Sequence, residues 1–453
     1  MSSKFTNVRL GDCCSKIGSG STPRGGSNVY LESGEYALFR SQNIYNNGFA
    51  TNGLVYITAE AATKLKNVTI LEDDILLNIT GDSVARVCIA PSEFLPARVN
   101  QHVAIIRTDS LELNSKYTRY YLSSSYMQKN MLSLASVGAT RNALTKVMIE
   151  DFMIPKPPLQ IQQKIADILS TLDEKIELNR KMNQTLEEMA QTLFKSWFVD
   201  FDPVHAKAGC KSDAELEKAA TELGISKEIL DLFPSELEEN EMGMIPKGWA
   251  VKVLSDVIDF QNGYSFKSKE LHKDIINSTK VFKMGHIHRG GGFKEEGKDT
   301  YFYNMNPERM NKYLLKQGDI LMAMTDMKAN MALLAHTALM PHTNRYLLNQ
   351  RAGRLRVKDS SILNYPYVYI FSNHPSTIQD LRSRSNSGVQ VNLTTIAILD
   401  TKIIVPAPNI HVIFDEMVLS LFNKLFVNNK EIINLQKTRD TLLPKLLSGE
   451  VEV

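Results

Sequence analysis

The architecture of this chain of 453 residues follows from the stretch PPLQIQQKIADILSTLDEKIELNRKMNQTLEEMAQTLFKSWF, residues 157–198. Its apolar residues recur at spacings of three and four, which is the period of one helical face. They are Ile165, Ile168, Leu172, Ile176, Met182, Leu186, Met189 and Leu193. We therefore predict one helix from about Leu159 to Phe198. About 40 residues rising 1.5 Å each span roughly 60 Å, and a stripe of this length is typical of a coiled coil.

A second helix of the same kind is predicted from about His411 to Leu447. Its apolar stripe consists of Val418, Leu425, Ile432, Leu435, Leu442 and Leu446. Pro444 should end or kink this helix near its last turn. Two separate core helices would also carry apolar stripes, but a length beyond that of a domain core favours helices that pack against each other.

The sequence also repeats itself at a period of roughly 250 residues, which is too long for a solenoid and indicates a duplicated domain. Six matches occur in the same order: Val8–Asp12 with Val251–Asp256, Leu38–Ile44 with Val281–Ile287, Asp74–Thr80 with Asp319–Thr325, Asn100-Gln101 with Asn349-Gln350, Gly138, Asn142, Leu144 and Thr145 with Gly388, Asn392, Thr394 and Thr395, and Ile154–Pro158 with Ile404–Pro408. Chance or similar turn chemistry explains one or two such matches, but not their shared order.

Each copy begins with short strands and ends with a helix. The predicted strands are β-rich and bounded by Gly, Asp, Asn or Pro: Ile75–Thr80, Val87–Ala90, Val103–Arg107, Ile320–Thr325 and Arg354–Val357. The stretches Tyr117–Leu134 and Tyr365–Arg384 are predicted to be partly helical. Proline-rich segments at 155–158 and 406–408 then precede the two long helices.

The composition, 43% hydrophobic and 23% charged residues, is that of a soluble globular protein. No apolar run reaches the roughly 18 residues of a membrane span, and the N-terminus lacks the apolar stretch of a signal peptide. The four cysteines, Cys13, Cys14, Cys88 and Cys210, form no CxxC pair. We expect reduced thiols, no membrane association and a cytoplasmic location.

The net charge of +2 conceals an uneven distribution. Residues 1–155 carry 15 basic and 13 acidic side chains, whereas residues 246–405 carry 22 basic and 13 acidic ones, a net of +9. Residues 212–241 carry 2 basic and 10 acidic side chains. A basic domain favours a polyanionic partner, although ordinary surface lysines remain an alternative. The acidic stretch is predicted to be a solvated connector with one short helix, Ala214–Leu223.

Motifs that would indicate catalysis are nearly absent. The run Gly18–Gly26 has no Lys after its glycines and no GxGxxG spacing, so it is a loop near a DNA backbone or a plain turn. Asn364-Tyr365-Pro366-Tyr367 is similar to the adenine-flipping motif of amino-methyltransferases, but its second residue is Tyr rather than Pro. A helix N-terminus is the simpler interpretation. His286 and His288 lack further ligands at usable spacing.

Four segments together resemble the specificity subunits of type I restriction–modification systems. The first is Pro157–Ala166, similar to the start of the central region of these subunits. The others are Leu193–Pro203 at the helix exit, Met244–Trp249 at the entry to the second copy, and Leu442–Val451 at the end of the last helix. The resemblance covers the whole chain in the expected order, although the first copy begins without an IPKGW-like entry.

The resemblance implies an α+β fold in which two similar α/β target-recognition domains are separated by two long helices. These helices would pack as an antiparallel coiled coil with a pseudo-twofold internal repeat. The expected segments are target-recognition domain 1 at 1–157, a central helical spacer at 158–199, an acidic linker at 200–245, target-recognition domain 2 at 246–408 and a distal helical spacer at 409–453.

The resemblance also implies the function and the partners. Each domain would recognise half of a bipartite site in double-stranded DNA, and the helices would set the spacing and dock two modification subunits. The chain itself would be non-catalytic and bind no cofactor or metal. Modification subunits would supply S-adenosylmethionine and methyl transfer, and restriction subunits would supply ATP- and Mg-dependent translocation and cleavage.

Candidate DNA contacts are polar residues on predicted loops, since Arg and Lys suit guanine edges and phosphates while Asn and Gln suit adenine. In the first domain they are Ser21, Arg24, Arg40, Gln42, Asn43, Thr80, Arg86 and Arg141. In the second they are Asn262, Lys267, Lys283, His286, Arg289, Lys328, Arg382, Arg384 and Gln390. Each is otherwise a solvated surface residue. Arg382 and Arg384 are expected to contact the DNA backbone, whereas the repeated Asn-Gln pairs suggest a scaffold role.

Asn179 and Asn429 are predicted to set the register of the helix pair. Asn179 is the only polar member of the seven-residue series Ile165, Leu172, Asn179, Leu186 and Leu193. The repeat places Asn429 at the equivalent point of the second helix, so the two amides are expected to bond each other across an antiparallel pair. Exposed asparagines on a helix surface are the alternative.

Two other classes of protein compete with this interpretation. A methyltransferase or nuclease with a fused recognition domain is disfavoured by the missing catalytic motifs. A coiled-coil scaffold without DNA binding is disfavoured by the basic second domain.

Overall fold

The computed structural model describes residues 4–136, 142–273, 278–295, 299–303, 307–329, 331–386 and 388–453. Contacts divide the chain into two units. The first comprises Met1–Asn179 and Lys430–Val453, and the second comprises Arg180–Asn429. Each unit therefore contains one copy of the repeat together with parts of both long helices.

The first copy contains eleven strands in its described residues: β1 (Asn7–Arg9), β2 (Cys14–Ser19), β3 (Tyr36–Phe39), β4 (Ile44–Tyr45), β5 (Gly48–Phe49), β6 (Val55–Ile57), β7 (Ile75–Asn78), β8 (Val87–Ile89), β9 (Ala97–Val99), β10 (Val103–Thr108) and β11 (Met153–Pro155). Its helices are α1 (Ala59–Lys64), α2 (Ser115–Ser123), α3 (Ser125–Ser136) and α4 (Lys146–Glu150), followed by the long helix α5 (Leu159–Phe198).

Two sheets form the body of the first copy. One has the order β2-β10-β7-β8 and is antiparallel, and the other has the order β6-β3-β9 with a parallel β3–β9 pair. Alternate residues of β7 bury their side chains on opposite faces of the first sheet, Ile75 and Leu77 in one cluster and Leu76 in another. The antiparallel ladder β1–β11 closes the domain by pairing Asn7 with Pro155.

The segment between the copies is more structured than predicted. It forms three helices and a hairpin: α6 (Asp202–Ala208), α7 (Asp213–Glu222), α8 (Lys227–Leu232), β12 (Leu237–Asn240) and β13 (Gly243–Pro246). The helix predicted at Ala214–Leu223 is confirmed as α7, whereas the prediction that the rest of this segment is only a solvated connector is wrong. Leu216, Ala220 and Leu230 bury a small core that outweighs the acidic surface, and the side chains of Ser212 and Ser226 cap α7 and α8.

The second copy repeats these elements. Its strands are β14 (Ala250–Val253), β15 (Ile258–Asn262), β16 (Leu271–His272), β17 (Ser278–Phe282), β18 (Tyr301–Tyr303), β19 (Ile320–Ala323), β20 (Thr325–Met327), β21 (Thr337–Leu339), β22 (Tyr346–Leu348), β23 (Ala352–Val357), β24 (Gln390–Asn392) and β25 (Lys402–Val405). Its helices are α9 (Leu254–Val257), α10 (Pro307–Met310), α11 (Tyr365–Asn373), α12 (Pro375–Ser383) and α13 (Thr395–Leu399), followed by the long helix α14 (Pro408–Ser448).

The topology confirms the duplication. The sheet β15-β23-β19-β21 repeats β2-β10-β7-β8, and the parallel pair β17–β22 repeats β3–β9. A buried ion pair is repeated as well, because Arg107 holds Asp74 through two nitrogens and Arg356 holds Asp319 in the same way. The ladder β14–β25 closes the second copy as β1–β11 closes the first.

Helices α5 and α14 run antiparallel within each unit. In the first unit Ile165 and Leu169 share a core with Leu443 and Leu447. In the second unit Phe198 contacts Phe414 at a ring distance of 4.8 Å. Pro444 lies inside the last turn of α14, which continues to Ser448.

The inward face of α5 differs in part from the predicted stripe. Ile168 and Met189 are 38% and 53% exposed, so their assignment to the apolar seam is wrong. Leu169 and Ala190, one residue further along, are buried instead. A heptad series contains two positions per seven residues, and local spacing did not distinguish the second position from its neighbour.

Candidate nucleic-acid interface

The first domain gathers its polar loops at one edge. The backbone N–H of Ser21 donates to the Val99 carbonyl at 3.0 Å, and that of Asn100 donates to the Phe39 carbonyl at 3.1 Å. Ile79 donates in turn to the carbonyl of His102 at 3.0 Å. The loops that follow β2, β3, β7 and β9 therefore lie side by side, and they carry Ser21, Arg40 and Thr80.

Arg40 and Gln42 both donate to the carbonyl oxygen of Gly53. The Arg40 guanidinium also lies 5.2 Å from the centre of the Tyr30 ring. Arg40 is half-buried and Gln42 is exposed. These contacts fix both side chains on the loop, with Gln42 exposed and the Nε of Arg40 buried.

Asn43 and His286 occupy the same buried position of the two copies. The Asn43 amide accepts from the backbone N–H of Arg40 at 3.1 Å and donates to the carbonyl of Ala50 at 2.8 Å. Asn43 is 0% exposed. His286 accepts from the backbone N–H of Lys283 at 3.0 Å and stacks on Phe282. Burial lowers the pKa of His286. Both were predicted to contact DNA, and that prediction is corrected: each side chain closes a 3₁₀ turn beneath the surface.

The remaining candidates of the first domain lie at its loop edge or close to it. Thr80 is half-buried and its hydroxyl lies 2.6 Å from Nδ1 of His102. The Arg86 guanidinium stacks 4.5 Å from the Tyr45 ring centre. Ser21 is half-buried and Arg24 is exposed. Arg141 lies outside the described residues.

The second domain assembles the same loop edge. Asn349 donates from its backbone to the carbonyl of Phe282 at 3.2 Å, and Met324 donates to that of Arg351 at 3.0 Å. A cleft of about 380 Å³ opens between these loops. Its lining consists of Leu271, Lys283, Met284, Gly285, Asn349, Gln350 and Arg351.

Most candidates of the second domain are solvent-facing. Lys283 is half-buried beside the cleft, and the exposed ones are Asn262, Lys267, Arg289, Lys328 and Gln390. Asn262 also donates to the Thr395 hydroxyl at 3.1 Å. Part of the basic charge of this domain is therefore exposed to solvent.

Arg384 is not placed as predicted, whereas the DNA contact of Arg382 stays a prediction. Arg384 donates to the carbonyl of Ala397 at 2.5 Å, to the Thr401 hydroxyl at 2.8 Å and to both carboxylate oxygens of Asp380. Arg382 donates to the Leu334 carbonyl at 3.1 Å. Both are half-buried. The expectation of backbone contact is corrected for Arg384, because its guanidinium is used to join α12 to α13.

The helix asparagines have partners other than each other. Asn179 is 1% exposed and donates to Glu431 at 2.9 Å within the first unit. In the second unit Asn183 donates to Asn429 at 3.0 Å and accepts from Asn428 at 2.9 Å. The prediction of a direct bond between Asn179 and Asn429 is therefore wrong, because Asn179 bonds Glu431 and Asn429 bonds Asn183. Asn428, which is 0% exposed, is the better match to Asn179 in burial.

Sequence reasoning missed the turn that begins at the Gln of each Asn-Gln pair. Gln101 and His102 occupy it in the first copy, and Gln350 and Arg351 in the second. Gly20 and Gly263 pack against these turns, since a Cβ atom would lie 2.2 and 2.0 Å from the carbonyl oxygens of Asn100 and Asn349. The Asn-Gln pair that occurs in both copies could have indicated this turn. Its Asn stabilises the backbone, while the residues that follow the Asn lie at the surface.

Other motifs have structural roles. Asn364 caps α11 through a bond from the backbone N–H of Tyr365, which confirms the helix N-terminus. Across the described ranges, no three His, Cys, Asp or Glu side chains are grouped so as to hold a metal ion. In the same ranges no helix has both the length and the apolar character that a membrane crossing requires.

Comparison with known families is consistent with this geometry. A family model described as "Type I restriction modification DNA specificity domain" matches the chain twice, over residues 2–188 and 246–437. Each match covers one copy of the repeat and part of the helical regions.

Similar proteins carry the same description. The HindI type I restriction enzyme specificity subunit of Haemophilus influenzae is 32% identical over 327 residues, 65% of this chain and 68% of that protein. The MjaIX specificity subunit of Methanocaldococcus jannaschii is 29% identical over 344 residues, 74% of this chain and 68% of that protein. The crystal structure of a type I restriction-modification S subunit from M. genitalium shares the fold, with a TM-score of 0.53 at 17% identity over 98% of this chain and 96% of that one.

Proposed function

This chain belongs to the type I restriction modification DNA specificity family, and we propose that it is the sequence-recognition subunit of such a complex, without a catalytic site of its own. Each domain recognises one half of a bipartite site in double-stranded DNA. The duplication carries this proposal. The family model matches once on each copy, and each copy presents polar loops at the equivalent edge of its own sheet.

The loop edges suit DNA in two ways. Exposed cations such as Lys267 and Arg289 offer phosphate contacts, which position a protein without conveying sequence. Side chains held on the loops, such as Arg40 and Gln42, offer N–H donors to base edges in the major groove. The second domain, with a net charge of +9 over residues 246–405, contributes more of the electrostatic attraction.

The long helices dock the modification subunits and set the spacing between the half-sites. Support comes from large apolar side chains that the helices expose to solvent: Ile168, Leu178 and Met189 on α5, and Val412 and Val427 on α14. A partner that covered these side chains would gain free energy by removing their apolar surface from water.

The chemistry belongs to the partners. Two modification subunits bring S-adenosylmethionine and methyl transfer, and restriction subunits bring ATP- and Mg-dependent translocation and cleavage. This chain binds none of these cofactors. Since the DNA that such a complex surveys lies in the cytoplasm of a bacterial or archaeal cell, that is where the chain works.

A domain exchange tests the division of the site. Replacing residues 246–405 by the matching domain of a relative should change one half of the methylated motif and leave the other half and the spacing unchanged. The complementary exchange of residues 1–157 should change only the other half. A change of both halves by either exchange would refute the modular proposal.

A second measurement tests the absence of catalysis. The purified chain alone should transfer no methyl group from S-adenosylmethionine to DNA, and activity should require the modification subunits. Methyl transfer by the chain alone would instead support an enzyme with a fused recognition domain.

A further inference from the structure

Arg351 lies in the turn between β22 and β23, at the loop edge of the second domain. Its backbone is fixed at both ends: the N–H donates to Oδ1 of Asn349 at 3.4 Å, and the carbonyl accepts from the N–H of Met324 at 3.0 Å. The side chain is exposed and lines the cleft of about 380 Å³. A rigid turn therefore presents a guanidinium to an open cleft.

Neighbouring arginines of this domain are used by the fold. Arg345 pairs with Glu295 at 2.7 Å, Arg354 donates to the Lys312 carbonyl at 3.0 Å, and Arg356 is held by Asp319. Arg384 is held by Asp380 and Thr401. Within the described part of the chain, the Arg351 guanidinium has no such hydrogen bond or ion pair, so its five N–H donors remain available to a ligand.

The walls of the cleft have the chemistry of a purine-binding surface. Gln350 is exposed next to Arg351, and Lys283 lines the same cleft from the loop that follows β17. No Asp or Glu side chain is among the residues that line it. A guanidinium fork matches O6 and N7 of guanine with two parallel hydrogen bonds, and an adjacent cation lowers the cost of approaching phosphates.

The other copy shows that this position varies while the turn is kept. The equivalent residue of the first domain is His102, whose Nδ1 lies 2.6 Å from the Thr80 hydroxyl and whose Nε2 lies 3.2 Å from Nε2 of Gln101. Both ring nitrogens are thus already engaged. Asn100 nevertheless accepts from the backbone two residues on, as Asn349 does. A constant scaffold with an exchangeable side chain is the arrangement that a change of DNA specificity requires.

From this geometry, and resting on the proposed function, we propose that Arg351 is a specificity-determining residue that recognises the major-groove edge of a guanine in the half-site bound by the second domain. Asn349 positions the turn, and Lys283 faces the backbone beside the recognised base.

The test uses the full chain assembled with its modification subunits. Arg351→Ala should lower affinity for the cognate site on the order of 10- to 100-fold, with little change for a scrambled duplex. Sequencing of methylated DNA should show one position of the second half-site becoming degenerate while the first half-site is unchanged. Arg351→Lys should relax the same position, since a flexible ammonium lacks the rigid planar fork that matches O6 and N7.

Lys316→Ala is the matched control, because Lys316 is an exposed cation of the same domain before the opposite end of β19. It should leave the motif unchanged. The inference is overturned if Arg351→Ala keeps the wild-type motif, or if it weakens all sequences equally and Arg351→Lys restores binding, which identifies a phosphate contact. A wild-type complex that does not distinguish cognate from scrambled DNA would instead overturn the proposed function itself.

Discussion

At the scale of single residues, some polar side chains stabilise the fold and others face solvent on the loops. The residue type alone does not distinguish the two groups. Asn43 and His286 have different chemistry but the same task, since each accepts a backbone N–H and closes a turn. Asp74 and Asp319 are buried ion-pair partners at matching positions. Removing one member of such a pair would leave an uncompensated charge and should therefore destabilise the fold.

Arg384→Ala should destabilise the second domain rather than reduce its attraction to DNA. The variant loses bonds to Asp380, Ala397 and Thr401, and the expected loss in free energy of unfolding is about 1–3 kcal/mol. Urea denaturation measures it. Arg382→Ala, which removes a single bond to Leu334, is the control and should lose less. A flatter salt dependence of DNA binding at unchanged stability would contradict this assignment.

Glu187 should make the stability of the second unit depend on pH. Its carboxylate accepts from the Tyr369 hydroxyl at 2.7 Å, and burial raises the pKa of Glu187. The folded chain therefore holds this proton more tightly than the unfolded chain does. The resulting stabilisation is complete at low pH and is lost as the pH rises above the ordinary glutamate range.

The Glu187→Gln variant removes this dependence. Its free energy of unfolding should exceed that of the wild type at about pH 8 and match it near the ordinary glutamate pKa of about 4.3, because glutamine keeps an acceptor for Tyr369 without a buried charge. Glu188→Gln, at an exposed neighbour, should change neither value. Equal stability of the Glu187→Gln variant and the wild type at both pH values would count against a raised pKa of Glu187 in the folded chain.

At the scale of elements, the long helices contain polar layers inside an apolar seam. Asn183 bridges Asn428 and Asn429 in the second unit, and Asn179 meets Glu431 in the first. An amide left unpaired in a shifted register costs more than one that keeps its partner. We therefore expect these layers to favour one register, so the role of Asn179 and Asn429 stays a prediction, now with different partners.

A double-mutant cycle on Asn183 and Asn428 tests this layer. Asn183→Leu alone leaves the buried Asn428 amide without its acceptor and should cost about 1–3 kcal/mol. Replacing both by Leu should recover most of that loss or exceed wild-type stability, while the complex accepts a wider range of half-site spacings. Thermal unfolding and methylation mapping measure the two effects. A single variant that is more stable than wild type would show that the pair does not set register.

At the scale of the whole molecule, charge is divided between the copies rather than spread evenly, with net values of +2 over residues 1–155 and +9 over residues 246–405. Arg354 contributes to this excess but is buried and bonded to the Lys312 carbonyl, whereas Arg356 and Arg384 are each neutralised by an aspartate.

Replacing Lys267 and Arg289 together by Ala should flatten the salt dependence of DNA binding. Each lost phosphate contact lowers the slope of log affinity against log salt by roughly 0.9. The measurement is a titration of the assembled complex at several salt concentrations. Lys358→Ala is the control, because its ammonium donates to the Ser255 carbonyl at 2.7 Å. A control that flattens the slope as much as the double variant would place the interface elsewhere.

Local periodicity was sufficient for the two long helices and several strands, and the ordered sequence matches were sufficient for the duplication. The helix predicted at Leu159–Phe198 has those bounds, and the second, predicted at about His411–Leu447, extends from Pro408 to Ser448. The predicted strands at 75–80, 103–107 and 320–325 are β7, β10 and β19. These features depend on spacing and on turn residues, which are properties of neighbouring positions and are therefore visible in one dimension.

Which polar residues remain available depends on partners that only the folded chain supplies. Residues that are separated in sequence pair in the structure, as Arg384 does with Thr401 and Arg119 with Asp173. A side chain that is paired in this way is not available on the loop surface. The same holds for Ile168 and Leu169, whose exposure depends on what packs against α5. A hydrogen bond or a packed face is a relation between distant positions, so residue type and spacing along the chain do not specify it.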